Sequence, residues 1–544
     1  MYKSVIKAIL ASSVLLPMTQ CQNATTQQQA FEVDTVSIAA HIKQLASDEF
    51  LGRKPFTEGE TKTVEYLVNQ FQRIGLEPGN NGSYIQQVPL VSITSTAEAT
   101  MLFSNASGSV ELTNMKDYVV YTEQPSETTS VTDSEVVFAG YGIVAPEYGW
   151  NDYEGLDVKG KTVIVMVNDP GFEQRDPDFF KGETMTYYGR WTYKYEEAAR
   201  QGAAGVLIIH ETVPAGYPWI VVQGSWSGSK LQLAQSQGYK CAVQGWITRE
   251  AAIQLFELSK EDLKDYKMKA LKDFKPVSLG LKTSLTLQNQ IKMDASQNVV
   301  GMIAGSTRPE EVVIYSAHWD HLGVGEPVEG DSIFNGAHDN ASGTAMLLTI
   351  AEAMKKQGQP QRTVVFLAVT AEEEGLLGSA HYAENPIFAA NQTIANINMD
   401  GIGAYGWMKD FTLVGYGQSE MDELAAVIAE KQGRYIYPDP EPGKGYFFRS
   451  DHFNFARIGI PAMFGSGTYE AMAGGVERIQ QENGEYLANR YHRPADEFDP
   501  NSWQFGGMFQ DGNLMMELGW DLANSDLWPQ WKEGSEFKAI REGN

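Results

Sequence analysis

The chain contains very little cysteine. Cys21 and Cys241 are the two cysteines in a chain of 544 residues. Cys21 lies near the start, directly after a short apolar run. If Cys21 is lipidated or removed together with that run, no internal disulfide can form. We therefore expect the folded chain to depend on its hydrophobic core, even in an oxidising compartment.

Basic residues are also scarce in comparison with acidic ones. Lys and Arg total 42 and Asp and Glu total 69, which leaves a formal net charge of −27. Because a nucleic-acid-binding protein needs a basic face, this balance argues against that class. We interpret the acidic surface as a source of solubility for an exported protein.

The apolar run at residues 8–18 is too short for a membrane span. Lys3 and Lys7 precede it, as in a secretory signal, and we predict that residues 1–26 are a signal peptide. The segment Met18-Thr19-Gln20-Cys21 resembles a bacterial lipoprotein signal. Lipidation of Cys21 and release without lipid both remain open. The expected location is the periplasm, the outer membrane as a lipoprotein, or the outside of the cell.

Two common hydrolase motifs are missing from the sequence. Without an HExxH motif, a single-zinc protease of that type is excluded. The absence of GxSxG weakens a serine-hydrolase interpretation. Six of the eight histidines nevertheless lie between His318 and His492. Clustered imidazole and carboxylate groups favour zinc over magnesium.

Three β-branched runs, at residues 312–316, 363–370 and 393–398, are predicted to be buried strands. Each run is followed by residues that can bind a metal or transfer a proton. These residues are His318 and Asp320, then Glu372 and Glu373, then Asp400. In open α/β sheets, ligands bind at the carboxyl ends of the strands. The sequence therefore predicts a functional site at one edge of the sheet.

Strands and helices alternate along much of the chain, which predicts an α/β fold with a mostly parallel central sheet and helices on both faces. We expect this catalytic domain to be discontinuous, comprising residues 27–131 and 285–544. Residues 132–249 are predicted to be a small inserted α/β module that resembles a protease-associated domain. This resemblance rests on the order of GYGI, GKTVIVMV and KYEEAARQGAAGVLII. Residues 250–284 are predicted to be a connector.

The motifs of the chain resemble those of metallopeptidase family twenty-eight, the two-zinc aminopeptidases related to bacterial leucyl aminopeptidases and glutamate carboxypeptidases. The resemblance covers nearly the whole chain after the signal, and together its motifs are highly specific. They are LASDEFLGR, HWD, HDNASG, AEEEGLLGS, NMDG, SDHFNFARIGIPA and YHRPADE. The resemblance implies the zinc-exopeptidase fold.

The resemblance also implies a set of metal ligands. Asp339 would bridge two zinc ions, His318 and Asp400 would complete one site, and Glu373 and His492 would complete the other. The peptide bond after Asp339 would be cis. The residue before the bridging Asp is commonly Asp in this family, whereas here it is His338, which we interpret as a loop variant.

Two further acidic residues would have catalytic roles. Glu372 would be the general base, and Asp320 would accept the imidazole N–H of His318 and fix its tautomer. Tyr491 or Tyr446 would hydrogen-bond the tetrahedral oxyanion. We expect the remaining histidines of the region to be structural, and these are His321, His381 and His452.

The predicted function is therefore that of a zinc aminopeptidase that acts on peptides. A carboxypeptidase or dipeptidase on the same fold remains an alternative, with Lys444 and Arg449 as candidates for binding a C-terminal carboxylate. A glutaminyl cyclase would use one zinc, and a non-catalytic binding module would have lost ligands. The complete ligand set argues against both. The sequence does not determine the peptide length, the side-chain preference or the oligomeric state.

Overall fold

The computed structural model describes residues 32–235, 238–272 and 274–543. The predicted signal peptide and Cys21 lie outside the described residues. Within those three ranges, no helix is both long enough and apolar enough to cross a membrane.

The strands of the described residues are β1 Glu77–Pro78, β2 Ile85–Ala97, β3 Thr100–Asn105, β4 Gly108–Thr113, β5 Tyr118–Tyr121, β6 Thr128–Phe138, β7 Val144–Ala145, β8 Trp150–Asn151, β9 Thr162–Met166, β10 Gly205–His210, β11 Ser229–Leu233, β12 Val243–Thr248, β13 Val277–Ile303, β14 Arg308–His318, β15 Gly323–Val328, β16 Asp331–Phe334, β17 Arg362–Val369, β18 Thr393–Asn398, β19 Asp410–Val414, β20 Tyr435–Pro438 and β21 Ala462–Ser466. The α-helices are α1 Thr35–Leu45, α2 Glu58–Ile74, α3 Pro170–Gln174, α4 Trp191–Arg200, α5 Thr212–Ala215, α6 Trp219–Ser225, α7 Arg249–Leu258, α8 Leu263–Lys269, α9 Ser342–Gln357, α10 Leu377–Glu384, α11 Met421–Lys431, α12 His452–Arg457, α13 Gly475–Asn489, α14 Gly506–Asn524 and α15 Lys538–Gly543.

The main sheet is parallel at its centre. β14 pairs in parallel with β17 on one side and with β18 on the other, and β18 pairs in parallel with β21. The flanking strands are antiparallel, with β13 beside β17 and β19 beside β21. The three runs predicted as buried strands correspond to β14, β17 and β18, and every residue of β17 and β18 is buried.

Helices cover both faces of this sheet, so the predicted fold class is confirmed. Successive side chains of a strand point to opposite faces. Val313 and Tyr315 accordingly pack in the larger core with helices that include α1, α9 and α14. Val312 and Ile314 pack in a second core with Tyr382 of α10.

The inserted module has a separate hydrophobic core of its own. Its strands include the parallel pairs β6 with β9, β9 with β10, and β10 with β12. The long strand β13 joins the module to the main sheet, because its first half pairs with β6 and β3 and its second half with β2 and β17.

The packing of the module differs from the domain boundaries expected at residues 132 and 249. Phe103 and Tyr118 precede residue 132 but pack in the module's core. Phe256 and Leu263, from the stretch expected to be a connector, pack in the same core. Residues on both sides of the expected boundaries therefore belong to one packed unit. Its kinship with protease-associated domains stays a prediction.

Candidate metal centre

Side chains that follow three neighbouring strands meet at one edge of the main sheet. β14 ends at His318, Glu372 and Glu373 follow β17, and Asp400 follows β18. Because β17 and β18 both pair in parallel with β14, their carboxyl ends lie side by side.

Loops before α9 and after α13 bring two more residues to the same place. Asp339 lies ahead of α9, and its peptide bond to Asn340 is cis, as expected. His492 follows α13 and has a left-handed backbone with φ of 56°. The site thus combines side chains from distant parts of the chain.

The five expected ligands form two groups of donor atoms that share Asp339. His318 Nε2 lies 3.3 Å from Asp339 Oδ1 and 3.3 Å from Asp400 Oδ1. His492 Nε2 lies 3.2 Å from Asp339 Oδ2 and 3.1 Å from Glu373 Oε2. The two oxygens of Asp339 therefore face two different histidines.

These separations fit metal coordination. Around a tetrahedral zinc ion with bonds of about 2.0–2.2 Å, neighbouring donor atoms lie about 3.3 Å apart or slightly more. Imidazole nitrogen and carboxylate oxygen are also donors that suit zinc. The residues present therefore fit two zinc ions that share the carboxylate of Asp339.

The charges around His318 favour a cation at this edge of the sheet. Burial works against a charged imidazole, but the carboxylates of Glu372 and Asp400 raise the pKa of His318 well above its usual range. An excess of buried negative charge of this kind attracts positive ions.

Glu372 has a different environment from the ligand carboxylates. Its Oε2 lies 4.0 Å from His318 Nε2. Burial raises the pKa of Glu372 well above its usual range, with nearby carboxylates acting in the same direction. A buried carboxylate with a raised pKa beside a candidate metal site is suited to accept a proton.

Asp320 makes contacts that differ from those expected. His318 Nδ1 lies 3.2 Å from the main-chain oxygen of Asp320 but 3.8 Å from its carboxylate. The carboxylate instead accepts the backbone N–H of Glu372 at 3.1 Å and that of Glu373 at 3.4 Å. Asp320 therefore orients His318 through its carbonyl and, through its side chain, holds the loop that carries Glu372 and Glu373.

The loop that carries Asp339 is held by buried polar side chains. Asp496 accepts the backbone N–H groups of His338 and Asp339 at 3.1 Å each. Asn340 donates to the carbonyl of Met399 at 3.0 Å and accepts the backbone N–H of Gly343 at 2.9 Å. These bonds fix the loop of Asp339 against the end of β18.

Arg53 hydrogen-bonds to the backbone of the loops that carry the site. Its buried guanidinium donates to the carbonyls of Trp319 at 2.8 Å, Asn335 at 2.6 Å and Gly336 at 2.9 Å. Burial lowers the pKa of Arg53 to about 10, while Asp320 opposes that shift. The motif LASDEFLGR thus joins two of the ligand-bearing loops.

Two further residues contact ligand carboxylates and were not assigned that role from the sequence. Ser450 donates its hydroxyl to Asp400 Oδ2 at 2.6 Å. His321 Nδ1 lies 2.5 Å from Glu373 Oε1. The position of Ser450 in the SDH motif was a usable signal, whereas His321 was distinguished only by its closeness to His318.

The other histidines of the region lie outside the two donor groups. His338 Nε2 lies 2.9 Å from the carbonyl oxygen of Gly401, and its ring packs on Tyr486. His452 is buried between Phe447 and Phe464. His381 lies on α10 beside Asn385.

The two tyrosines considered for the oxyanion lie in different places. The ring of Tyr491 stacks on His492 with centroids 3.9 Å apart, and 43% of Tyr491 is exposed. Tyr446 lies under the guanidinium of Arg449. Tyr491 is therefore the one in contact with an expected ligand.

Fold and site together define a class of α/β metalloproteins whose ligands come from the carboxyl ends of parallel strands. Residues 298–516 match the family model described as Peptidase family M28. The match covers the part of the chain that carries the five expected ligands.

Curated relatives match over a short stretch. Aminopeptidase NAALADL1 of Mus musculus is 33% identical over 127 residues, which cover 22% of this chain and 16% of the relative. A protein named as a probable zinc metalloprotease of Leptosphaeria maculans is 30% identical over 139 residues, which cover 25% of this chain and 32% of the relative. The chain thus spans about a sixth to a third of the length of these relatives.

A solved structure matches over most of the chain. It is described as an aminopeptidase from Aneurinibacillus sp. strain AM-1 and is 19% identical, with a TM-score of 0.49. The match covers 92% of this chain and 97% of that one.

Proposed function

We propose that this chain is a zinc-dependent exopeptidase that binds two zinc ions and removes the N-terminal residue from peptides. The observation that carries the proposal is the carboxylate of Asp339, whose two oxygens lie 3.3 Å and 3.2 Å from the Nε2 atoms of His318 and His492. The match of residues 298–516 to the model of Peptidase family M28 supports the same proposal. So do relatives named as an aminopeptidase and a zinc metalloprotease.

In this proposal His318, Asp339 and Asp400 would hold one zinc ion, and Asp339, Glu373 and His492 would hold the other. When bound, zinc would supply Lewis-acid chemistry that activates water and polarises a carbonyl group. The negative charge of Asp339 would offset part of the repulsion between two dications.

Glu372 is the proposed general base. It takes a proton from the attacking water and returns it to the leaving amine of the substrate. Its buried position and raised pKa favour both steps, because the carboxyl group can hold the proton between them. Asp320 keeps the loop of Glu372 in place through the backbone N–H contact described above.

The acidic surroundings favour a substrate that presents an amine. Glu372, Glu373 and Asp400 all lie at the same edge of the sheet, and a free α-amino group is attracted to such a cluster. This preference supports attack at the N-terminal bond rather than within a chain.

The contacts of the inserted module support a role in limiting the size of the substrate. Leu231 of β11 packs in one small core with Ala371 and Leu377, the residues that flank the base loop. On another side, Lys181 binds Glu536 at 2.6 Å and Arg457 binds Glu196 at 3.2 Å across the contact between module and main sheet. We propose that the module forms a wall of the substrate cleft.

One observation favours a second candidate, a carboxypeptidase. Arg190 of the module has a buried Nε with no hydrogen-bond partner among the described residues. Burial and then the charge of Arg449 lower the pKa of Arg190 to about 10. Two guanidinium groups near each other favour a carboxylate between them. Lys444, by contrast, pairs with Glu441 at 2.7 Å.

Cleavage of an aminoacyl chromogenic substrate and of its N-acetylated twin separates the two candidates. We expect the free amine to be cleaved and the acetylated compound to be resistant. Equal cleavage of both would contradict amine recognition. Release of C-terminal residues from N-blocked peptides, lost in both Arg190→Ala and Arg449→Ala, would establish the carboxypeptidase. Metal analysis after zinc loading and dialysis should give two ions per chain.

A further inference from the structure

His321 is buried beside the expected ligand Glu373. The residue is 1% exposed. Its Nδ1 lies 2.5 Å from Glu373 Oε1, while Glu373 Oε2 lies 3.1 Å from His492 Nε2. The two oxygens of Glu373 therefore have different partners.

The contact with Glu373 is a hydrogen bond rather than shared coordination of one ion. Two donor atoms on the same tetrahedral zinc would lie about 3.3 Å apart. The observed 2.5 Å is much shorter. Since an ionised carboxylate can only accept, His321 must carry a proton on Nδ1 and donate it to Glu373 Oε1.

Packing fixes the orientation of the His321 ring. A Cβ added at Gly336 would lie 2.5 Å from the ring, so only glycine leaves room for it. The ring also stands edge-on to His492, with centroids 5.8 Å apart. Gly336 is held in turn, because its carbonyl accepts from Arg53 at 2.9 Å.

We propose that His321 is a positioning residue. Its hydrogen bond occupies Glu373 Oε1, so that Glu373 offers only Oε2 to the metal ion that it would share with His492 and Asp339. This inference rests on the two-zinc function proposed above. The other metal position has a different support, because Asp400 Oδ2 accepts the hydroxyl of Ser450. Glu373 and Asp400 thus each have one oxygen hydrogen-bonded to a residue outside the expected ligand set.

The consequence for the second metal position is a limited set of protein donors. Asp339, Glu373 and His492 would each supply one atom, and a fourth position remains for water or a substrate group. Catalytic zinc sites commonly combine three protein ligands with one such position. If Glu373 were free to turn and bind through both oxygens, its second oxygen would take up part of the space of that fourth position.

The test compares His321→Leu with His321→Asn. Leucine fills a similar volume but removes the donor, whereas the asparagine side-chain amide places its N–H close to the position of histidine Nδ1. We expect His321→Leu to weaken zinc at the Glu373 and His492 position by about 10- to 100-fold and to leave the His318 and Asp400 position unchanged. The Asn variant should recover most of the affinity.

Crystals of each protein, dialysed against a zinc buffer and measured at the zinc absorption edge, give the occupancy of each position separately. Full occupancy of both positions in His321→Leu, with Glu373 unmoved, would overturn the inference. Equal loss at both positions would overturn it as well, because it would indicate a general structural effect. A wild-type chain that binds fewer than two ions overturns the two-zinc function itself, and the role of His321 with it.

A second measurement needs no variant and covers the case in which His321→Leu does not fold. In the zinc-loaded wild-type protein labelled with ¹⁵N-histidine, the His321 signal should report a protonated, hydrogen-bonded Nδ1. A deprotonated Nδ1, or one bound to metal, would contradict the proposal.

Discussion

At the scale of single residues, three consecutive glutamates have three different surroundings. Glu373 faces two histidines, with His321 on one oxygen and His492 on the other. Glu372 lies 4.0 Å from His318. Burial raises the pKa of Glu374, while the charges of Lys54 and Lys230 oppose that shift. Chemically identical side chains thus acquire separate roles from their neighbours.

Replacement of Glu372 by Gln should lower kcat/KM by about 10²- to 10⁴-fold, because the amide cannot accept the proton from water. Bound zinc should stay at the wild-type level, since Glu372 is not one of the five expected ligands. Rates with the aminoacyl chromogenic substrate and metal analysis of the same samples check both statements.

Glu374→Gln is the matched control for this prediction. It makes the same chemical change two positions along the chain, and its activity should stay within a few-fold of the wild-type value. If Glu372→Gln is no worse than Glu374→Gln, the base is a different group.

Asp339→Asn should lose bound metal, unlike Glu372→Gln. Both oxygens of Asp339 face expected ligand histidines, and an amide nitrogen in place of one oxygen cannot coordinate zinc. We expect at most one zinc ion per chain after dialysis. Retention of two ions would show that Asp339 does not bridge them.

The strand-end residues could be predicted from the sequence, but their supports could not. A β-branched run followed by His, Glu or Asp is a local pattern, and it correctly indicated His318, Glu373 and Asp400 as neighbours. Arg53 bonds with a carbonyl 282 residues away, at Asn335. No periodicity in a single sequence reports a contact at that separation, which depends on how whole loops pack.

At the scale of elements, the ends of helices have local sequence signals, whereas the edges of the module do not. α1 begins after Asp34, whose side chain accepts the N–H of Val36, and α2 ends at Gly75 in a left-handed conformation. Both caps are local signals. The strand β13, Val277–Ile303, begins in the stretch expected to be a connector and ends in the expected catalytic domain. Its first part alternates buried and exposed residues, which is the pattern of a strand rather than of a connector.

Helix α1 contains a histidine whose burial makes it sensitive to pH. His41 Nδ1 lies 2.6 Å from the Tyr66 hydroxyl. Burial, assisted by the charge of Arg73, lowers the pKa of His41 from 6.5 to about 4. The unfolded chain therefore binds a proton between pH 6.5 and 4 that the folded chain does not, so this contribution to stability is lost as the pH falls through that window.

The thermal unfolding midpoint should fall between pH 6.5 and 4 more steeply in the wild type than in His41→Gln. Over this range, the free energy of unfolding of the wild type should fall by about 3 kcal/mol more than that of His41→Gln. This value follows from the lowering of the His41 pKa from 6.5 to about 4, at about 1.36 kcal/mol per pKa unit. Parallel curves for the two proteins over this range would show that His41 does not contribute to the acid sensitivity.

At the scale of the whole molecule, the net charge is −27, and part of this negative charge is buried at the candidate metal centre. Seven carboxylate side chains with little or no exposure lie in and around the site, namely Asp320, Asp339, Glu372, Glu373, Asp400, Asp451 and Asp496. Buried like charges repel one another and lack the solvation that water would give them. Arg53 provides one buried cation among them, and its guanidinium bonds with carbonyls.

Removal of metal should therefore destabilise the folded chain as well as inactivate it. With free zinc at about 100 times the dissociation constant of each site, two bound ions would raise the free energy of unfolding by about 5 kcal/mol, since each contributes about 2.7 kcal/mol. For a chain of this size that corresponds to a fall of roughly 5 °C in the unfolding midpoint when a chelator is added. Returned zinc should restore both the midpoint and the activity.

Asp339→Asn is the control, because a chain that binds little metal should respond weakly to the chelator. An unchanged wild-type midpoint after complete metal removal would mean that the carboxylates are neutralised by protons rather than by ions, and the site would then be preformed without metal.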